Sequence, residues 1–402
     1  MKKQVFAGLF VACGMAPAMA QSNVMIYGIV DAGLQMSDFG KGRQTNLSSG
    51  MAEGSRIGFK GSEDLGGGYR ALFTLEARLE LDNGSQSNGL LSSSINQNIT
   101  QGISTAGSAF VKSRLPVTII NSAGALFDRQ SYVGLSTPHG TFLLGRQYTP
   151  GIEIFALSDV FELGLSGTWL NLALGPSGVY TPGIALRANQ ALQYRLQMQN
   201  GMSVTAMYGL NSTGSLNLGK HFFGTSLRYK GHGLDAGVAY NQEQDQAGNK
   251  ALTTITVGGT YVVGDVKIFA GLHHMKNDNS AFARALAPGL STPGDAVALF
   301  SNLTLDGDMY TVGLQYTIGL GRIMAGINHV NDKRPTNGDA TLAGLGYDYF
   351  FSKRTDLYAL VAHVSNQRTA QYALGGAGYF GGSTSQRGQD AKSLQLGMRH
   401  RF

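Results

Sequence analysis

Alternation constrains this chain more than any other feature. From Asn23 to Phe402 it reads as short strands whose apolar residues fall at every second position. The gaps between strands are alternately tight and long. Tight gaps fall at 64–68, 138–140, 199–201, 231–233, 263–265, 319–321 and 352–354; Asp64-Leu65-Gly66-Gly67-Gly68 and Gly231-His232-Gly233 are typical. Longer polar or irregular segments lie between them, at 38–54, 83–128, 150–186, 212–218, 245–250, 279–305, 334–338 and 367–389. A closed antiparallel barrel in a membrane requires this pattern, with turns at one rim, loops at the other and one face of each strand in lipid. A soluble sandwich has no reason to gather every long loop at one end. The spacing predicts about sixteen strands.

The faces agree. In 69–82, Ala71, Phe73, Leu75, Ala77, Leu79 and Leu81 share one face, and Arg70, Thr74, Glu76, Arg78 and Glu80 the other. In 306–318, Tyr310, Val312, Leu314, Tyr316 and Ile318 oppose Met309, Thr311, Gly313, Gln315 and Thr317. In 390–402, Leu394, Leu396, Met398 and Phe402 oppose Ser393, Gln395, Arg399 and Arg401. A small soluble barrel fills its interior with apolar side chains, whereas a wide one keeps an aqueous lumen. Charge on the inner face selects the wide kind. Aromatics near strand ends, such as Tyr347, Tyr349, Phe350, Phe351 and Tyr358, suit interfacial girdles.

No linker or composition break divides the strands, so 402 residues are read as one barrel, 21–402, behind a signal peptide, 1–20. Charged residues are 14%, below the roughly 25% of soluble domains. Lys2 and Lys3 precede the apolar run Val5–Met15, and Ala18-Met19-Ala20 matches a small-x-small cleavage site. A lipoprotein signal at Cys13 is the poorer match. No later stretch has the eighteen or so apolar residues of a membrane-spanning helix, so export leaves periplasm, outer membrane or medium. Cys13, the sole cysteine, leaves with the signal, so no disulfide is expected. Loss of Lys2 and Lys3 takes the formal charge from +6 to +4, too little to argue for nucleic acid.

Several segments resemble the Gram-negative trimeric porins, in the betaproteobacterial general-diffusion branch. Val24-Met25-Ile26-Tyr27-Gly28-Ile29-Val30-Asp31-Ala32-Gly33 resembles their first strand, and Ser55 to Gly66 their second strand and first turn. Tyr132-Val133-Gly134-Leu135 and Gly140 to Tyr148 resemble the fourth and fifth strands. The last strand, ending in Phe402, resembles the signal read by the barrel-assembly machinery. The resemblance implies an all-β, 16-stranded antiparallel transmembrane β-barrel in the outer membrane, with short periplasmic turns and long extracellular loops. It also implies a homotrimer among outer-membrane lipid and lipopolysaccharide, passing ions and small hydrophilic solutes. The third loop, about 150–186, would fold into the lumen. It carries Glu153, Asp159 and Glu162, placed like the family's acidic constriction loop. It departs from the family in its apolar run from Phe155 to Leu174, which includes Trp169.

Such a protein selects rather than catalyses. A water-filled neck with low-dielectric walls focuses the field of a few fixed charges. Strand parity puts Arg56, Lys60 and Arg78 on the lumen side. Arg187 begins the strand after the loop, with Asn189 and Gln193 on its face. By resemblance, Arg56, Arg187 and Arg129 match the family's basic cluster. Arg146 shares parity with Phe142, Leu144 and Tyr148 and so points outward, where a lipid-facing Arg costs roughly 2–4 kcal/mol. Either a subunit interface covers it or a local bulge turns it in. Basic wall residues outnumber the loop acids, which predicts weak anion preference. A substrate-specific channel for small anions or sugars is the alternative, and an adhesive or structural barrel a third. No enzyme is expected: the eight histidines are scattered, and no nucleophile, zinc or phosphate-loop motif is present. No metal or cofactor is called for. Asp306 and Asp308 read as a solvated loop end.

Overall fold

A strand whose alternate side chains meet lipid and water is stable only when every backbone group is paired, and in the computed structural model the chain meets that demand by closing on itself. The structure describes residues 23–86, 100, 102–114, 125–173, 183–210, 219–377 and 381–402. The signal peptide at 1–20, the loop at 212–218 and most of the Ser/Asn/Gln-rich stretch 84–104 lie outside the described residues.

The strands are β1 (Asn23–Asp38), β2 (Gln44–Ser49), β3 (Arg56–Gly66), β4 (Tyr69–Arg78), β5 (Gln130–Thr137), β6 (Gly140–Tyr148), β7 (Arg187–Gln197) and β8 (Met202–Leu210). They continue as β9 (Gly219–Gly231), β10 (Leu234–Asp245), β11 (Lys250–Val263), β12 (Val266–Asn277) and β13 (Leu305–Ile318). The last four are β14 (Gly321–Asp332), β15 (Ala340–Phe350), β16 (Thr355–Asn366) and β17 (Ala391–Arg401). Apart from β2 and β3, which both pair with β1, consecutive strands pair antiparallel, and β1 closes the ring on β17, from Ile29 opposite Arg401 to Asp38 opposite Lys392.

β2 and β3 are two halves of one barrel strand. β1 pairs with β3 over residues 23–29 and with β2 over residues 32–37. The barrel therefore has sixteen strand positions. The interruption at 50–55 is an inward turn: Asp31 accepts from the backbone N–H of Ala52 (2.9 Å) and Glu53 (2.6 Å), and Met51 is fully buried. Two expectations are corrected here. The segment 38–54 is not all loop, because β2 lies within it, and the strand read as 69–82 ends at Arg78. Its inward parity persists, with Thr74, Glu76, Arg78 and Glu80 all buried.

All seven tight gaps are turns at one rim. His232 and Gly233 sit at φ 52° and 79°, the left-handed pair that a two-residue hairpin demands. Outward positions are apolar and exposed, including Leu144 (54%), Val312 (57%) and Leu345 (54%). Such a continuous apolar surface fits a membrane and not water. No helix among the described residues is long and apolar enough to cross one. Phe402 extends the closure: its N–H and C=O exchange two 3.1 Å bonds with Gly28. A Cβ on Gly28 would lie 2.4 Å from the Phe402 ring, so the glycine makes room for it.

The long loops fold over the other rim. Helices Thr105–Arg114 and Pro293–Leu303 meet there through Asp295, which accepts from the Ser104 N–H and hydroxyl, both at 2.7 Å. Val111, Leu299, Leu303 and, from the last loop, Leu374 are fully buried in the same cluster.

Candidate functional site

Thr149 and Pro150 redirect the chain at the end of β6. The Thr149 hydroxyl caps the helix Pro150–Leu157 by accepting from the Ile152 N–H, and Pro supplies the fixed φ of a first helical residue. The helix runs against β9, β10 and β11 inside the barrel. From there the loop follows a row of inward glycines. A Cβ at Gly237 would meet Ile154, at Gly258 Ser158, at Gly313 Val160 and at Gly344 Phe161, all within 2.8 Å. Only the absence of side chains on the wall lets the loop press this close.

Hydrogen bonds fix it. Gln315 donates to the Val160 carbonyl (2.6 Å), Asn328 to the Gly167 carbonyl (2.9 Å), and Gln395 accepts from the Ser166 N–H (2.7 Å). Trp169 is fully buried, stacked on Phe155 at 3.9 Å, and donates to the Phe155 carbonyl at 3.3 Å. His273 meets both rings edge-on and bonds the Gly183 carbonyl and Thr256. The apolar run noted in the sequence is thus the loop's anchor.

Between loop and wall lies a space of about 280 Å³. Arg56, Arg78, Arg129, Arg187 and Tyr148 line one side of it. Tyr148 organises them: its hydroxyl accepts from Arg129 (2.9 Å) and Arg187 (2.8 Å), and the Arg187 guanidinium lies 4.5 Å over its ring. Glu76 bonds Arg129 (2.8 Å) and accepts from Tyr27 (2.9 Å), with Arg56 at 3.9 Å. Arg78 pairs with Glu80 at 3.3 Å. Burial pushes the Glu80 carboxyl up to about 7 despite Arg78.

The expected residues divide. Arg56, Arg78, Arg129 and Arg187 converge on the neck, and Lys60 does not: it is exposed toward the short-turn rim, its ammonium 5.0 Å over the Tyr27 ring. Glu153 and Glu162 line the space but are engaged, Glu153 by Arg195 and Glu162 by Arg322 at 2.6 Å. Burial opposes ionisation of Glu162, but Arg322 overrides it and holds the carboxyl low. Asp159, expected as a constriction acid, is 1% exposed and bonds its own loop, accepting from the N–H groups of Phe161 and Leu163 (both 3.0 Å) and from the Thr168 hydroxyl. Burial is the larger influence and pushes its carboxyl up to about 7.

Arg146 does not stand in lipid. The β6–β7 register skips between Gly145 and Gln147, and Gly145 has φ 134°. This bulge leaves Arg146 8% exposed, donating to the Asp128 carbonyl (2.6 Å) and to Asn189. Of the two placements that parity left open, the bulge is the one found.

Sequence reasoning left out Glu53 and Arg322 and did not assign Arg399 and Arg401 to the site; it put Tyr148 outward with Arg146, and the register shift between Gly145 and Gln147 brings it into the neck instead. Glu53, on the inward turn, accepts from Arg56 (3.3 Å), Arg399 (3.3 Å) and Arg401 (2.7 Å). The alternation of β17 already placed Arg399 and Arg401 inward; nothing local signalled the turn that carries Glu53. Asp308 is paired with Lys333 (2.5 Å) and hydrogen-bonded to His274 (2.7 Å). Among the described residues no group of His, Cys, Asp and Glu could hold a metal.

The closed barrel with an inward loop has known counterparts. A family model for Gram-negative porins matches residues 8–370. The chain belongs to the Gram-negative porin family. It is 26% identical to outer membrane porin protein 32 of Delftia acidovorans, covering all of both chains. It is 27% identical to an outer membrane porin protein of Bordetella pertussis, again covering all of both. The anion-selective porin from Comamonas acidovorans superposes with a TM-score of 0.71 at 23% identity, over 95% of this chain and all of that one. OmpT of Vibrio cholerae in its trimer form does so at 0.61 and 16% identity, over 95% of this chain and 99% of that one. The protein is therefore an integral outer-membrane porin.

Proposed function

We propose that this porin is a general-diffusion channel with a weak preference for anions, working as a homotrimer. The carrying observation is the crowding of Arg56, Arg78, Arg129 and Arg187 on one wall of the neck, while the loop acids facing them are engaged elsewhere. Focused between low-dielectric walls, that excess attracts anions. The anion-selective Comamonas neighbour supports the same sign. A reversal potential in a KCl gradient tests it: an anion sign is expected, and a cation sign would refute it.

Glu80 gives the selectivity a pH dependence. Its raised pKa means that it is ionised above about 7 and neutral below. As pH falls from 8 to 6 the wall loses a negative charge and anion preference rises. The Glu80→Gln channel should show a smaller rise in anion preference between pH 8 and 6 than the parent, leaving the buried Asp159 as the other acid near 7; a parent whose selectivity is flat across this range would remove Glu80 from the neck's field.

The trimer reading rests on wall height. β4, β5 and β6 have 10, 8 and 9 residues, against 12 to 14 in β9–β13. A strand needs about 9–11 residues to span hydrocarbon, so the short wall suits a subunit contact. The trimeric OmpT neighbour points the same way. The remaining surface would meet outer-membrane lipid and lipopolysaccharide.

Phe402 would present the terminal strand to the barrel-assembly machinery. Deleting it should lower the heat-modifiable, folded fraction in cells severalfold while purified protein still refolds in detergent. Equal loss in both settings would make Phe402 a stability residue only.

A further inference from the structure

The loop side of the neck is not the mirror image of the basic wall. Ile152, Ala156, Leu163, Leu170 and Leu186 line the same space as the arginines. Glu153 and Glu162 are drawn aside by Arg195 and Arg322, and Asp159 is sealed behind the loop. The neck is a slot with one cationic side and one largely apolar side, and the acids in its lining, Glu53, Glu153 and Glu162, are each paired with an arginine. On the cationic side Arg187 is 5% exposed; its Nη2 donates to Tyr148, but among the described residues Nε and Nη1 meet no acceptor. Buried donors without partners are costly and are normally satisfied, so an arginine carrying two of them at the lining holds unused capacity for an anion. A guanidinium is suited by its planar fork to a carboxylate.

We propose that the neck is a weak binding slot for organic monocarboxylates with an apolar body, aromatic or branched. The carboxylate engages Arg187 and its neighbours while the body lies against Ile152, Ala156 and Leu163. A mineral anion gains from the first wall alone. A polar carboxylate of similar size must strip water from its hydroxyls against an apolar face that returns no hydrogen bonds. This inference rests on the anion-preferring reading and adds the class of anion.

The test uses the purified porin in a planar bilayer. The zero-current potential is first read in a KCl gradient, then with potassium benzoate or potassium gluconate opposite KCl. An anion sign in KCl is expected, with a benzoate-to-gluconate permeability ratio about threefold or more above their ratio of free mobilities. Leu163→Asn should bring that excess down toward one. Asn tolerates the left-handed backbone of Leu163, φ 60°, so the loop is preserved. Ala156→Asn probes the same wall from the helix, should the first variant not open channels. An anion sign with benzoate and gluconate following their mobilities overturns the slot alone. A cation sign in KCl overturns the anion reading beneath it as well.

Discussion

Replacing Arg56 and Arg187 together by glutamine should abolish the anion preference and bring the reversal potential to zero or to the cation sign. Two of the four arginines lining the neck are lost, and Arg78 and Arg129 remain beside Glu53, Glu76 and Glu80. A unit charge at about 4 Å is worth about 1 kcal/mol even in bulk water. Two such charges should shift the anion-to-cation permeability ratio roughly tenfold at low salt. The shift should fade toward 1 M salt, where the screening length is about 3 Å. Glutamine keeps donors for the Glu53 and Tyr148 contacts, and Arg129 still holds Tyr148, so the wall stays built. An unchanged reversal potential at low salt would show that charge elsewhere sets the selectivity.

Trp169→Ala should release the constriction loop. The indole is fully buried, and its removal takes away the Phe155 stack, the bond to the Phe155 carbonyl and the edge contact with His273. Truncating a buried aromatic costs roughly 3–5 kcal/mol. That cost falls on the docking of the loop, because the strand ladders are continuous without it. Gln315, Asn328 and Gln395 still hold the loop at Val160, Gly167 and Ser166, so it should fluctuate rather than leave. Larger, noisier single-channel currents with weaker ion selectivity are expected, at a nearly unchanged barrel melting temperature. A lower melting temperature with ordinary currents would instead make Trp169 a pillar of the barrel.

Arg146 shows where legibility stops. Its outward parity was a sound reading of regular alternation, and a one-residue bulge at Gly145 reversed it. A bulge costs one residue of register and leaves no reliable mark in composition. Asp159 shows a second limit. An acid on a loop read as facing the lumen is spent on that loop's own backbone N–H groups, a choice made by local turns. The inward glycines that seat the loop were visible only as abundance, 57 in all. Their alignment across β10, β11, β13 and β15 depends on pairing register.

The sequence by itself determined the barrel: its period of two, its alternating tight and long connections, its inward-facing charges on β3, β4 and β17, and its closing strand. These are legible because lipid on one side and water on the other bind every second residue to the same rule. The interruption at 50–55, the seating of the loop and the division of the arginines between the neck and the pairs with Glu53, Glu153 and Glu162 were decided by tertiary structure. Each depends on contacts between residues far apart in the chain, such as Ser166 with Gln395 and Arg401 with Glu53. No local pattern encodes such meetings, because only closure of the ring brings those residues together.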